Sequence, residues 1–262
     1  MVANPTRELE QHLKELHLPT MRQCYGEQAT VATHDSWTYE QYLHEVVALE
    51  VDARRQNRVA RYLRESRLPP EKSWDAFNRK RLPRKIDVQL NALRDGAFID
   101  RHENVLAFGN PGSGKTHLLC ALGQELIHRG HRVLFATCSL LVQELLVAKR
   151  ELRLARFLKR LSKFRPLIID DLGYVQQDRE EMEVLFTLLA DRYERGSVML
   201  TSNLPFSKWE QIFKDPMTTA AAIDRLVHHS IILELNVPSY RLEHSKKTQV
   251  KAATAVATRP NA

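Results

Sequence analysis

Gly109-Asn110-Pro111-Gly112-Ser113-Gly114-Lys115-Thr116 has the composition and spacing to hold a polyphosphate. Its three glycines let the backbone curl until successive N–H groups point inward at anionic oxygens. Lys115 would set a point charge against the β- and γ-phosphates, and the Thr116 hydroxyl would face Mg2+. A helix beginning there would aim its positive end at the same anion. Further along, Pro166-Leu167-Ile168-Ile169-Asp170-Asp171 ends an apolar run in two carboxylates. Asp170 suits a direct or water-mediated contact to Mg2+, and Asp171 could orient or deprotonate an attacking water. The same pair would also serve as a helix N-cap, where Asp is common. Thr201-Ser202-Asn203 ends another apolar run. An amide there can hydrogen-bond a γ-phosphate and the water that attacks it, or form an Asx turn before Pro205. Arg225, in Ala220–Leu226, can deliver a guanidinium to the phosphate of a neighbouring subunit, or pair with a carboxylate such as Asp224. Arg241, beside Tyr240, offers a second guanidinium or a solvated side chain.

These groups need elements to hold them. Asn104–Phe108 is a short apolar run of strand type, ahead of the glycine loop. Behind the loop, Leu118, Leu119, Ala121, Leu122, Leu126 and Ile127 recur at helical spacing until Arg129-Gly130. Strand, loop and helix therefore come in the order that phosphate binding requires. Four more strands are predicted at 132–136, 167–169, 198–201 and 231–233, with helical segments between them. Short apolar strands alternating with helices predict an α/β fold with a parallel sheet covered on both faces. Residues 5 to about 68 read as helices alone, closed by Pro69-Pro70. Residues 71 to about 100 read as a connection carrying Trp74 and Phe77.

The chain of 262 residues has 39 Lys and Arg against 32 Asp and Glu, a formal charge of +7. The positive charge is gathered in stripes. Arg54, Arg58 and Arg61 share one helical face, flanked by Arg55, Arg64 and Arg67 and opposed by Glu65 alone. Arg153, Arg156, Arg160 and Lys163 share another, with Leu154, Phe157, Leu158 and Leu161 opposite. Arg79, Lys80, Arg81, Arg84 and Lys85 make a third cluster. One such stripe is an ordinary solvated face. Three of them with a net excess point to duplex DNA, gripped through phosphates with little base preference. Cys24, Cys120 and Cys138 show no metal-binding spacing and fit a reducing compartment. No apolar run approaches the ~20 residues that span a bilayer, and the N-terminus lacks signal-peptide character. A cytoplasmic, non-membrane protein is expected.

In combination these motifs resemble the IstB family. They are Lys115-Thr116-His117-Leu118, Asp170-Asp171-Leu172-Gly173-Tyr174, Thr201-Ser202-Asn203-Leu204-Pro205-Phe206 and Ala222-Ile223-Asp224-Arg225-Leu226. In the helical half, His17-Leu18-Pro19-Thr20-Met21 and the stretch 50–57 are similar as well. The IstB family comprises AAA+ ATPase helpers encoded beside the transposase of IS21-type insertion sequences, related to DnaC and DnaA. The resemblance runs to about residue 245. It implies an AAA+ P-loop NTPase domain with a five-stranded parallel sheet at 71–245. A small helical domain that binds DNA or a partner (1–70) would precede it, and a disordered tail (246–262) would follow. It implies ATP held by Gly109–Thr116, His117 and Arg241, with Mg2+ on Thr116 and Asp170. Catalytic roles fall to Asp171, Asn203 and Arg225, the last as an arginine finger. The position of Asp171 carries Glu in many AAA+ proteins, and the shorter carboxylate fits slow, switch-like hydrolysis. The implied activity is Mg2+-dependent ATP hydrolysis by a homo-oligomer with ATP at subunit interfaces. Such an oligomer would remodel target duplex DNA and activate an IstA-like transposase. The alternative is a DnaC-type loader whose N-terminal helices grip a replicative helicase. A small-molecule P-loop kinase would explain neither the basic stripes nor Asn203.

Overall fold

The computed structural model describes residues 5–173, 178–210 and 216–240. The chain divides into two compact units, Met1–Arg61 and Tyr62–Ala262. The expected boundary at residue 70 therefore differs from this division in where it assigns residues 62–70. Those residues bond within the second unit: the Phe135 amide donates to the Ser66 carbonyl at 2.7 Å, and Arg132 pairs with Glu65 at 2.9 Å.

The first unit is helical. It holds α1 (Pro5–Glu15), α2 (Pro19–His34) and most of α3 (Tyr39–Glu65). Pro19 supplies the first turn of α2, where a missing N–H costs nothing. Thr38 and Gln41 start α3 with reciprocal bonds, Gln41 N to Thr38 Oγ1 at 3.2 Å and Thr38 N to Gln41 Oε1 at 2.8 Å. Glu50 is buried, yet its Oε2 accepts the amides of Thr20 and Met21 at the start of α2. Burial pushes this carboxyl up, but Arg54 and the two amides outweigh it and hold it below its ordinary value. Arg54 donates from Nε to Glu50 at 2.7 Å and from Nη2 to the His17 carbonyl. Within the first basic stripe Arg54 thus also braces the helical unit, while its side chain stays 56% exposed. Arg58 and Arg61 are exposed on the same helix.

The second unit is built on a five-stranded parallel sheet in the order β2-β3-β4-β1-β5. The strands are β1 (Asn104–Phe108), β2 (Leu134–Thr137), β3 (Leu167–Leu172), β4 (Val198–Ser202) and β5 (Ser230–Glu234). The helices are α4 (Arg84–Leu93), α5 (Ala97–Asp100), α6 (Lys115–His128), α7 (Cys138–Arg150), α8 (Leu154–Leu161), α9 (Arg179–Arg192) and α10 (Pro216–Val227). Strand side chains alternate between faces. Leu106, Leu167, Ile169 and Leu200 join the core under α7, α9 and α10. Ile168 instead meets α6, where a methyl on Gly123 would come within 2.8 Å of its Cδ1. Both faces are dry, which is why the strands read as unbroken apolar runs. All five predicted strands form, with ends shifted by a few residues, and β3 extends through both of its aspartates. Among the described residues no helix is long and apolar enough to cross a membrane.

Candidate functional site

The glycine loop leaves the C-terminal end of β1 and runs into α6. Gly109 has φ 150°, and a Cβ there would sit 2.4 Å from the Leu235 carbonyl oxygen. Gly114, at φ 98°, caps α6 beneath the ring of Phe77. Neither position accepts a side chain without displacing backbone or ring. Lys115 is buried and donates from Nζ to the carbonyls of Gly109 at 2.8 Å and Asn110 at 3.0 Å. The Ser113 hydroxyl is buried with no hydrogen-bond partner. A buried ammonium on loop carbonyls, an unused hydroxyl and the N-terminus of a 14-residue helix form an anion cradle.

Beside this loop is a cavity of about 410 Å³ lined by Pro111–His117, Asp171 and Asn203. Its other walls were not foreseen. Lys72, Phe77, Asn78, Arg81 and Leu82 come from the stretch read as a connection, and Val237 and Tyr240 follow β5. The Phe77 and His117 rings lie 5.1 Å apart, and His117 Nε2 is 2.9 Å from the Ser73 carbonyl. The Tyr240 amide donates to the Gly112 carbonyl at 2.9 Å, and the Arg81 guanidinium lies 5.3 Å from the Tyr240 ring. Arg81 also donates to the Pro238 carbonyl, and Arg79 pairs with Asp87 at 2.6 Å. Of the third basic cluster Arg81 thus lines the cavity wall, while Lys80, Arg84 and Lys85 are exposed. Two aromatic residues in a polar stretch, Trp74 and Phe77, were the available signal.

The paired carboxylates are positioned by a fault in the sheet. β3 carries one extra residue between Ile169 and Leu172 relative to β4. Asp171 adopts the left-handed conformation there, φ 61°, which Asp tolerates better than most residues. The bulge turns Asp171 outward to the cavity while Asp170 stays buried. Thr201 joins them: its hydroxyl donates to Asp170 Oδ1 at 2.7 Å and accepts the Asp171 amide at 2.8 Å. Burial pushes the Asp170 carboxyl above its ordinary value, opposed by hydrogen bonds from Thr201 and Thr116. Asp171 adds to the upward push and Lys72 works against it. The Thr116 hydroxyl and Asp170 carboxylate are hard oxygen donors that fit Mg2+. Neither the bulge nor the role of Thr201 could be read from a linear pattern.

Arg225 does not border this cavity. It lies by the N-terminal ends of β1 and β4, near Asn104 and Val198, at the far end of the sheet from the loop. Its Nη1 donates to the Ala221 carbonyl and its guanidinium lies 4.7 Å from the Phe186 ring. Arg241 lies outside the described residues, as do Tyr174 and 246–262. On α8 Arg156 is exposed and Arg160 lies 4.6 Å from the Phe157 ring, while Arg153 pairs with Glu151 just before the helix and Lys163 is exposed just after it. The apolar side of that helix packs against the core, as the spacing required. Cys120 is buried, which pushes its thiol up to about 12 and leaves it inert as a nucleophile.

The profile of the family described as IstB-like ATP binding protein matches residues 11–248. An insertion sequence ATP-binding protein of Sinorhizobium fredii is 43% identical over 230 residues, covering 87% of this chain and 77% of that protein. The IS21 ATP-binding protein of Pseudomonas aeruginosa is 40% identical over 215 residues, covering 81% and 80%. Among solved structures, AMPPCP-bound DnaA from Aquifex aeolicus superposes with a TM-score of 0.55 at 19% identity. That match covers 71% of this chain and 56% of DnaA, so the chain spans just over half of the DnaA chain it matches. The likeness is one of fold.

Proposed function

The chain belongs to the family of IstB-like ATP binding proteins of IS21-type insertion sequences, and from there we propose that it is a Mg2+-dependent ATPase whose nucleotide state controls a grip on duplex DNA. The observation that carries this reading is the Thr201 bridge. It holds Asp170 buried and secures the bulge from which Asp171 faces the cavity, where Asn203 and Lys115 also lie. A nucleotide triphosphate would lay its phosphates along 109–116, with Lys115 leaving the loop carbonyls for the anion. Phe77 and His117 would pack against the rest of the nucleotide. Mg2+ would neutralise charge on the terminal phosphates from a seat on Thr116 and Asp170. Asp171 would orient and deprotonate the attacking water, and the Asn203 amide would bond that water and the γ-phosphate.

Arg225 cannot serve its own cavity from the far end of the sheet, so a neighbouring subunit would receive it. Such a guanidinium is worth about 10³–10⁵ in rate. We infer a homo-oligomer with ATP at its interfaces. A helical region up to residue 70 would contact DNA or a partner, and 71–245 would hydrolyse ATP. Arg54, Arg58, Arg61, Arg153, Arg156, Arg160 and Lys163 would supply the phosphate contacts. The insertion-sequence names of the relatives support a transposase as the client. The helicase-loader alternative rests on likeness of fold alone.

One comparison tests this reading. Asp171→Asn should bind MgATP normally, hydrolyse it at least ~100-fold more slowly, and form longer-lived complexes with duplex DNA in ATP. Reversing Arg153, Arg156 and Arg160 to Glu should remove DNA binding and leave ATP affinity intact. Hydrolysis at the wild-type rate by Asp171→Asn would refute the assigned chemistry. Unchanged DNA affinity across a salt titration of the triple variant would refute the assigned surface.

A further inference from the structure

The turn after α9 and the turn after α10 bring Glu194, His228 and His229 together on the surface. One carboxylate oxygen and one ring nitrogen from each histidine lie within 4.8 Å of one another. The two imidazoles are 4.1 Å apart between centroids.

The turns that carry these groups are tightly held. The Asn104 amide group donates to the Leu226 carbonyl at 3.0 Å and accepts the Val198 N–H at 2.8 Å. Its own backbone N–H donates to the His229 carbonyl at 2.7 Å. One buried residue therefore ties the end of α10 and the start of β4 to the start of β1. Tyr193 orders the His228 side chain. Its hydroxyl lies 3.1 Å from His228 Nδ1. With Nδ1 engaged, Nε2 of His228 is the nitrogen left for another partner. A polar group that fixes the orientation of a ligating imidazole is the usual outer layer of a metal site. Both α9 and α10 end beside the cluster, and helix C-termini favour a cation.

We propose that Glu194, His228 and His229 bind a transition-metal ion, Zn2+ foremost, with the fourth position left to water. Two imidazoles and one carboxylate suit Zn2+, Co2+, Ni2+ or Cu2+, whereas Mg2+ and Ca2+ prefer oxygen alone. Zinc–ligand bonds of about 2.0–2.1 Å put tetrahedral neighbours roughly 3.3 Å apart. All three side chains are exposed, so rotation about their own bonds closes the gap. The bound ion clamps the α9–β4 turn to the α10–β5 turn, and with it the end of α10 that carries Arg225. The site stands apart from the nucleotide cavity, and its test does not depend on hydrolysis.

The test uses the full chain without an affinity tag. Co2+ is titrated in and the visible d–d bands are recorded, with Zn2+ added to displace it. A saturable 1:1 tetrahedral spectrum that Zn2+ abolishes is expected. His228→Ala and His229→Ala should each weaken Co2+ binding at least ~10-fold, and Tyr193→Phe about 10-fold. ATP affinity should stay unchanged in all three. Absence of a 1:1 spectrum below millimolar Co2+, or one that persists in the His228→Ala/His229→Ala double variant, overturns the proposal.

Discussion

The two ends of the same five strands are built from opposite chemistry. At the C-terminal ends Gly112, Gly114, Thr116, Asp171 and Asn203 line an open cavity, with Asp170 buried behind them. At the N-terminal ends stand Asn104, Arg192 and Arg225, whose side chains donate to main-chain carbonyls, with a pair of exposed histidines beside them. The difference follows from strand direction. In a parallel sheet every strand leads at its C-terminal end toward a helix N-terminus, whose free N–H groups attract anions. The opposite end receives helix C-termini, whose carbonyls need donors. Arg192 shows the second case most fully. Its guanidinium is buried and donates to the carbonyls of Leu161, Phe164 and Ser197. Burial lowers its pKa to about 10, and Asp191, which pushes it up, only partly offsets that. One end of the sheet keeps its polar groups for a ligand, and the other spends Asn104 and Arg192 on the fold.

Three substitutions test that division. The largest effect is expected from Lys115→Ala, which removes the cation of the open end. ATP affinity should fall by about 4 kcal/mol, roughly a thousandfold, as for a buried charge pair that loses one partner. Folding stability should hardly change. Titration with a fluorescent ATP analogue, beside a urea melt, separates the two readouts, and a large stability loss with retained binding would reverse the roles given to the ends. Next comes Arg192→Met at the closed end. Three carbonyls lose their donor, so unfolding free energy should drop by about 3 kcal/mol, while the ATP affinity of the folded protein is kept. Asp171→Gly is the smallest. Glycine relieves the left-handed conformation, so the protein should gain about 0.5 kcal/mol in thermal unfolding while hydrolysis is lost. A loss of stability would mean that the bulge itself holds the strands in register.

Much of the open end was legible from residue order. A strand, a glycine loop and a helix are neighbours in the chain, so Gly109–Thr116 could be assembled without knowing the rest of the fold. Asp170, Asp171 and Asn203 were found because they end apolar runs, and all strand ends of a parallel sheet converge. What stayed hidden depends on distant contacts. Phe77 and Arg81 become cavity wall only when residues 72–82 fold back over α6 and meet Tyr240. Arg54 reads as surface charge and is exposed, but its bond to the His17 carbonyl, 37 residues upstream, leaves no mark on the spacing. Glu194 and His228 lie in separate turns, and sequence spacing carries no trace of their meeting.

The sequence by itself determined the class of fold, the five parallel strands and the phosphate cradle, because each rests on local periodicity or on consecutive backbone groups. Only the tertiary structure decided which aspartate faces the cavity and which is buried, since a single inserted residue in β3 flips that assignment. It also decided which arginines are buried against carbonyls, as Arg192 is, and which stay exposed, as Arg156 does. Charge is written in the sequence, but whether a charge is available depends on carbonyls and carboxylates brought to it from elsewhere in the chain.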